Sequence, residues 1–409
     1  MRVTTAFNRI LALPGASVQS VAFTADGLVL GLRRRRRRRL QCPCGIRTWA
    51  RYDTSRRRWR HLDFGACKVF VEAEVHRIDC RGCGRVRTEQ VAWARPGARH
   101  TADFEDLAGW LAQRMDKTSV ARLLRCSWEA VDHIVTRVVA AHIDESRLNN
   151  LYRIGVDEIS YKRGHRYLTI VADHDTGHVV WVGKERTKAS FEQFFDALGP
   201  TRTAAIEAIS LDGSSIYLPV ARDRIPQATI CLDPFHLIGW TTAVVDSVYQ
   251  AERPALQLDR HATLRQWRRT RYALRAGAEH LNDTHRAILN RLRRGRYRLW
   301  RAWELKEQLR ELYRSVDPAN ARGYLKRWCT AALRSRIPAF KNLVQRVRKH
   351  FDAIIAAVQL GLSNSRLEGI NAKIRLIQRR GYGHRNLDHL TASIYLCLGG
   401  ITINPPTER

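Results

Sequence analysis

The stretch Arg153-Ile-Gly-Val-Asp157-Glu-Ile-Ser-Tyr161, followed by Gly164-His-Arg-Tyr-Leu-Thr-Ile-Val-Ala-Asp173, reads as two β-strands joined by a short turn. The first carries Asp157 among Ile154, Val156 and Ile159. The second, from His165 to Ala172, is rich in β-formers (Tyr167, Thr169, Ile170, Val171) and runs into the turn signal Asp173-His174-Asp175-Thr176-Gly177. A carboxylate inside a strand costs free energy unless something pairs with it. Taken alone, Asp157 reads as an edge-strand acid in a salt bridge. The acids further along the chain turn it into a metal ligand.

Downstream, His178 to Lys184 is a third strand, and Lys188 to Leu198 is a helix with Phe191, Phe194, Phe195 and Leu198 inward, ended by Gly199-Pro200. Ala204 to Leu211 reads as a fourth strand running straight into Asp212. A helix over Ser215 to Arg224 and a fifth strand over Ala228 to Leu232 follow, the latter ending in Asp233-Pro234-Phe235-His236. Three strands, helix, strand, helix, strand is the order of an α/β ribonuclease H-like core, an antiparallel meander with parallel additions. In that arrangement the first and fourth strands are neighbours, so Asp157 and Asp212 meet at one edge of the sheet. Facing carboxylates repel unless a divalent cation bridges them, and Mg²⁺ is the economical choice.

The chain from about 240 to 360 reads as helical and Arg-rich, with Trp240, Trp267, Trp300, Trp303 and Trp328, and offers no chemistry. Beyond it, Leu367, Ile370, Ile374 and Ile377 make one helical stripe, while Asn364, Glu368, Asn371 and Arg375 make another. That second face offers a carboxylate, two amides and a cation, a set able to hold metal and phosphate together. Alone, it reads equally as an amphipathic helix with one ordinary exposed Glu.

The N-terminal part is read through its charge and its cysteines. Lys plus Arg number 71 against 39 Asp plus Glu in 409 residues, a formal net charge of +32 spread over the whole chain. Such a field favours a polyanion, foremost nucleic acid, and Arg forks onto phosphate better than Lys. An anionic membrane competes, but no run of about 18 to 20 uninterrupted apolar residues exists. The opening Met1-Arg2-Val3-Thr4 is read as no signal peptide. Nine cysteines, four of them in two close pairs, suit a cytoplasmic metal site rather than a disulfide framework. The pairs are Cys42-Pro-Cys44-Gly45 and Cys80-Arg-Gly-Cys83-Gly84, two Cys-Gly knuckles fit for a structural zinc ribbon. The one-residue spacing in the first knuckle is unusual, and two unrelated pairs of buried cysteines are the alternative. Between them, Cys67 to Val75 alternates as a strand, with Cys67 an edge residue or an extra ligand. Val18 to Val29 reads as a hairpin turning at Asp26-Gly27.

Seven arginines, Arg33 to Arg39, lead into the first knuckle. They read as a solvated charge run or as a phosphate-binding strip, for which Arg33, Arg34, Arg35, Arg36 and Arg37 are the candidates. Arg57 and Arg58, beside Trp59, form a second such group. Asp103 to Met115, Thr118 to Leu124 and Ser127 to His142 are three helices with a break at Arg125-Cys126, a pattern resembling a helix-turn-helix. Thr101 or Asp103 caps the first and Ser127 the third. On the third helix Trp128, Asp132, His133, Thr136 and Arg137 are expected to face outward, and Trp128, His133 and Arg137 to touch DNA. An ordinary helical linker is the competing reading.

The knuckles, Gly-Val-Asp157-Glu-Ile-Ser, His-Arg-Tyr-Leu-Thr-Ile-Val-Ala-Asp-His, Leu-Asp212-Gly-Ser-Ser, Leu-Asp233-Pro-Phe-His236-Leu, and Asn364-Ser-Arg-Leu-Glu368-Gly-Ile-Asn371-Ala-Lys-Ile-Arg375 with its trailing Arg-Arg-Gly-Tyr-Gly-His together resemble the ISL-three family of bacterial insertion-sequence transposases. The likeness covers about residues 30 to 403 in the expected order. It differs at Gly213-Ser214-Ser215, not the commonest form after the second Asp. The resemblance implies a DDE transposase whose triad is Asp157, Asp212 and Glu368, holding two Mg²⁺ (or Mn²⁺) ions. Asp233 and His236 would support the site, His236 alternatively satisfying core carbonyls. Asn364, Asn371 and Arg375 are supporting candidates. Residues 1–95 would be a zinc-ribbon DNA-binding region with zinc on Cys42, Cys44, Cys80 and Cys83. Residues 96–150 would be a helix-turn-helix, 151–238 the first part of the core, 239–360 a basic helical insertion, and 361–409 the last core helix and C-terminus. The implied partner is double-stranded DNA, at element ends and target, bound by a homodimer or larger assembly in the cytoplasm on the bacterial nucleoid, with no membrane. A nuclease without strand transfer and a non-catalytic DNA-binding derivative are the alternatives.

Overall fold

The computed structural model describes residues 2–35, 39–162, 164, 166–213, 215–252, 264–295, 297–382, 384 and 386–408, with backbone alone at 264–267. Arg36, Arg37, His165, Ser214 and the Trp267 side chain lie outside the described residues. The chain divides into two compact units, Met1–Ser146 with Leu376–Arg409, and Arg147–Arg375. No helix among the described residues is long and apolar enough to cross a membrane.

The first unit begins with a hairpin, β1 (Ala16–Thr24) and β2 (Gly27–Arg34), turning at Asp26-Gly27 as expected. Short strands β3 (Leu40–Gln41) and β4 (Arg47–Thr48) pair with each other. The long strands β5 (Asp53–Phe64) and β6 (Cys67–Cys80) pair antiparallel, β7 (Arg85–Thr88) adds to β6, and β6 runs parallel to β2. Alternation along β6 turns Val69, Val71, Ala73 and Val75 inward onto Leu28, Leu30 and Trp59. Its helical layer holds Ala102–Ala112, Lys117–Leu123 and Trp128–His142. Thr101, Asp116 and Ser127 cap them by accepting from backbone N–H groups three residues on, and Arg125 at φ 50° makes the break before the third. Phe104, Ala108, Val120, Ile134 and Val138 share a core with Ala392, Leu396 and Ile403. The helix Leu387–Leu398, grouped by sequence with the last core helix, thus packs on Trp128–His142. Asp132, expected to face outward, is buried in an ion pair with Lys117. Helical periodicity places it at the edge of the apolar stripe, and a buried lysine from the middle helix draws it in.

The second unit is built on β8 (Arg153–Lys162), β9 (Arg166–Asp173), β10 (Val179–Lys184), β11 (Ala208–Leu211) and β12 (Thr229–Leu232), in the order β10-β9-β8-β11-β12. The first three pair antiparallel, and β11 and β12 join in parallel, with β8 directly beside β11. One face is covered by Lys188–Leu198 and Tyr217–Arg224, where Phe191, Phe194, Phe195 and Tyr217 pack on Ile154, Val156, Val171 and Ile209. On the other face Ala357 and Leu362 pack on Ala208 and Cys231. The fourth strand is shorter than expected: after Gly199 (φ 79°), Pro200–Ala204 forms one more helical turn. Proline at the first position is preorganised for that turn, which takes Ala204 and, with its helical cap Ala205, delays the strand to Ala208. Leu237, Val245, Leu305, Leu309, Trp328 and Phe340 make a separate helical core.

Candidate active site and metal centre

Parallel pairing sets Ser210 opposite Gly155 and Leu211 opposite Leu232. Two residues on along β8 and β11, and one along β11 and β12, the same register brings Asp157, Asp212 and Asp233 level on three adjacent strands. The ladder continues there, the Asp233 N–H donating to the Leu211 carbonyl at 3.0 Å. Asp212 and Asp233 are both buried. The helix Ser365–Arg380 lies over this end of the sheet because Gly155 leaves room for Leu367. A Cβ on Gly155 would meet Leu367 Cδ1 and stand 2.8 Å from His174 Nε2 and 3.1 Å from Ser210 Oγ.

Amides from that segment hold the acids. Asn371 Nδ2 donates to Asp157 Oδ2 at 2.8 Å, and the Glu158 N–H donates to Asp157 Oδ1 at 2.8 Å. The Asn364 N–H donates to Asp233 Oδ1 at 3.0 Å, and Asn364 Nδ2 to the Val156 carbonyl at 3.3 Å. Asn364 Oδ1 accepts from the Ser210 hydroxyl, which also meets His174 Nε2 at 2.6 Å. His236 Nδ1 lies 2.8 Å from Asp233 Oδ2. This bond raises the His236 pKa, and it ties the ring to an acid rather than to core carbonyls. Arg375 is exposed and makes no hydrogen bond or ion pair among the described residues.

Burial is the largest effect on the acids here. Burial raises the Asp157 pKa, with Asp212 and Asp233 adding to the effect. Burial likewise raises Glu368, helped by Asp233 and Asp157. Burial and then Asp212 push Glu158 up to about 7. Glu158 Oε2, Glu368 Oε1 and Asn371 Oδ1 are buried without a hydrogen-bond partner. Orphaned buried oxygens are expensive, and an all-oxygen donor set beside three aspartates suits a hard divalent cation such as Mg²⁺ or Mn²⁺. The residue types therefore fit such an ion, while the carboxylate oxygens of Asp157, Asp212 and Glu368 do not all lie within 4.8 Å of one another.

In the first unit both cysteine knuckles sit at hairpin turns. Cys42 to Gly45 lies between β3 and β4, and Cys80 to Gly84 between β6 and β7. The Gly45 N–H donates to the Cys42 carbonyl and the Gly84 N–H to the Cys80 carbonyl, each at 2.8 Å, with both glycines at positive φ. All four sulfurs lie within 4.8 Å of one another, the one such set of three or more ligand atoms among the described residues. Cys42 and Cys83 are 3.9 Å apart and Cys44 and Cys80 3.5 Å. Those separations bracket the roughly 3.8 Å edge of a tetrahedron with about 2.3 Å metal–sulfur bonds. The Cys83 N–H leads the effects that lower the Cys80 thiol to about 7. Cys67 stands apart from the set, exposed at the start of β6.

Residues 154–394 match a family model described as transposase, and residues 89–139 match the helix-turn-helix domain of transposase family ISL3. The chain is 40% identical over 385 residues to the transposase for insertion sequence element IS1557 of Mycobacterium tuberculosis, covering 87% of this chain and 85% of that protein. It is 28% identical over 358 residues to the transposase for insertion sequence element IS1001 of Bordetella parapertussis, covering 87% and 88%. The chain belongs to the ISL3 (ISL-three) family of transposases.

In this ISL3 transposase the residues expected to touch DNA are unequally available. Arg33 and Arg35 are exposed at the end of β2, while Arg34 between them pairs with Glu89. All three line an open groove of about 1050 Å³ with Arg51 and Arg56. Arg57 reaches Thr88 Oγ1 at 3.1 Å, and Arg58 holds Glu72 at 2.6 Å and Asp26 at 3.1 Å. On the third helix His133 is exposed, Trp128 lies 4.4 Å beneath Lys117 Nζ, and Arg137 pairs with buried Glu105 at 2.6 Å. Two further residues stand at the acid cluster of the ISL3 transposase, Glu158 and Arg186. Glu158 had a signal in the sequence, an acid directly after Asp157. Arg186 had none: it follows β10, Glu185 turns the chain at φ 68°, and its guanidinium meets Glu158 at 3.0 Å and Asp212 at 3.8 Å.

Proposed function

We propose that this transposase cuts DNA at the ends of an insertion element and joins the freed ends to target DNA, with Asp157, Asp212 and Glu368 as ligands for two divalent metal ions. The observation that carries the reading is the level placement of aspartates at the end of a parallel strand pair, beneath a helix whose Glu368 and Asn371 oxygens are buried and unpartnered. The sheet order and strand directions support a ribonuclease H-like core.

Bound metal would supply activation of the attacking oxygen and charge neutralisation at the leaving oxygen. The chain's own residues do the rest. Asn371 and the Glu158 N–H fix the Asp157 carboxylate so that its lone pairs face the site. Asn364 links β8, Asp233 and the Ser210–His174 pair, setting where Glu368 falls on its helix. His236, held by Asp233, keeps a proton beside the acids for a departing or arriving oxygen. In the first step water attacks the phosphodiester and the 3′-oxygen leaves as a hydroxyl. In the second that hydroxyl attacks a target phosphodiester and displaces its 3′-oxygen. Neither step needs a covalent enzyme intermediate.

Zinc on the four cysteines would hold the knuckles in shape, while the helix-turn-helix and the arginine groove read and grip the element ends. Joining two ends in one complex calls for a homodimer or larger assembly, acting on DNA in the bacterial cytoplasm. Replacing Asp212 with Ala tests the reading. The Asp212→Ala variant is expected to bind end DNA like wild type and to lose cleavage by a factor of about 10³ or more, the scale of removing a central charge-stabilising group. Cleavage retained in that variant would refute the triad.

A further inference from the structure

The helical segment after residue 239 shows no chemistry in its sequence, yet it reaches the acid cluster. The helix Pro234–Glu252 starts beside Asp233 and carries His236 and, one turn on, Trp240. On the Trp240 ring lies the guanidinium of Arg346, from the helix Pro338–Lys349, its carbon 3.5 Å from the ring centre. No other cation sits so close to a ring among the described residues. That helix ends at His350, whose ring carbon would stand 3.4 Å from a Cβ on Gly213, the residue after Asp212. The end of the helix therefore abuts the Asp212 turn; burial lowers the Arg346 pKa, and the Asp212 carboxylate opposes that lowering.

Arg346 is exposed and makes no ion pair among the described residues. Its position is fixed by stacking, which leaves the N–H donors at its edge available for an anion. A guanidinium whose only task was to pack two helices would not need to stand beside a cluster of acids at the end of a sheet. An incoming DNA strand, repelled by those acids, needs cations placed next to them.

We propose that Arg346, held on Trp240, is a phosphate-binding residue for the DNA strand entering the acid cluster, taking a phosphodiester adjacent to the one attacked. This rests on the cleavage function proposed above. It assigns to the helical insertion a direct part in positioning the substrate, and it makes Trp240 the residue that orients the guanidinium.

The test uses full-length protein and duplexes carrying the element's end, with single phosphates around the cleavage point replaced by neutral methylphosphonates. Binding is measured without divalent metal, so it does not depend on cutting. In wild type, neutralising the phosphate that faces Arg346 is expected to weaken binding about tenfold, the scale of one charge-assisted hydrogen bond. In Arg346→Ala and Arg346→Gln, unmodified DNA binds about tenfold more weakly and the same methylphosphonate costs nothing further. Trp240→Phe keeps the wild-type pattern, and Arg348→Ala, an exposed neighbour on the same helix, leaves it unchanged. If the folded Arg346 variants show the wild-type penalty at every phosphate, the inference is overturned. Failure of the cleavage reading looks different: wild type would not cut with Mg²⁺ while the Arg346-dependent phosphate pattern persisted.

Discussion

Asp157 draws its meaning from its neighbours rather than from its strand. Asn371 and a backbone N–H hold its two oxygens, and Asp212 and Asp233 stand level with it across β11 and β12. Gly155 gives this arrangement its room, since a Cβ there would meet Leu367 Cδ1 and crowd His174 Nε2, and both side chains would have to shift. Overfilling a packed site costs about 1–3 kcal/mol. Gly155→Ala is therefore expected to lower unfolding stability by that amount in a urea titration; an unchanged midpoint would show that the helix is not seated on Gly155. His384 makes a second prediction at this scale. Burial, seconded by Lys117, lowers its pKa to about 4, while an unfolded chain titrates near 6.5. Between those values the unfolded chain takes up a proton that the folded one does not. Stability is thus full above about pH 6.5 and is lost as pH falls toward 4, with about 2 kcal/mol gone from this group at pH 5. Comparing urea unfolding at pH 7 and pH 5, His384→Gln should narrow the wild-type difference by about that much; an equal difference in both proteins would remove His384 as the cause.

At the scale of elements, the order and pairing of β8 to β12 were readable because each strand ends at a turn signal and each helix carries a clean apolar stripe. The neighbouring positions of Asp157 and Asp212 followed from that order. What escaped depended on contacts between elements. Asp132 is buried by a lysine from another helix, Arg186 is brought to the acids by a left-handed residue before it, and Arg346 is set by a tryptophan more than a hundred residues away. None leaves a trace in local periodicity. β11 starts at Ala208 rather than Ala204 because the helical turn Pro200–Ala204 ends on Ala204 and its cap Ala205 is still helical. The cysteine knuckles were legible as spacing, and their convergence depends on β6 carrying Cys80 back to the β3–β4 hairpin. If zinc sits on the four cysteines as proposed, its loss should loosen these turns and leave the β8–β12 sheet intact. Metal-free protein, with zinc loss verified by elemental analysis, is expected to bind end DNA at least several-fold more weakly while keeping the unfolding transition of its second unit. Unchanged binding would show that the knuckles play no part in holding DNA.

Across the whole molecule, the candidate sites are divided between the two units while the positive charge is spread over both. The oxygen cluster lies in the unit Arg147–Arg375, while the sulfur cluster, the helix-turn-helix and the groove lined by Arg33 and Arg35 lie in the other. A net charge of +32 accounts for attraction to DNA of any sequence and explains neither where it is cut nor how. The account therefore rests on the acids. The most direct measurement is Mg²⁺-dependent cleavage of labelled DNA carrying the element's own ends, comparing wild type with Asp157→Ala at protein concentrations that give equal binding. The account predicts a cut at the element end by wild type and bound but uncut DNA with the variant. Equal cutting by both proteins would contradict it.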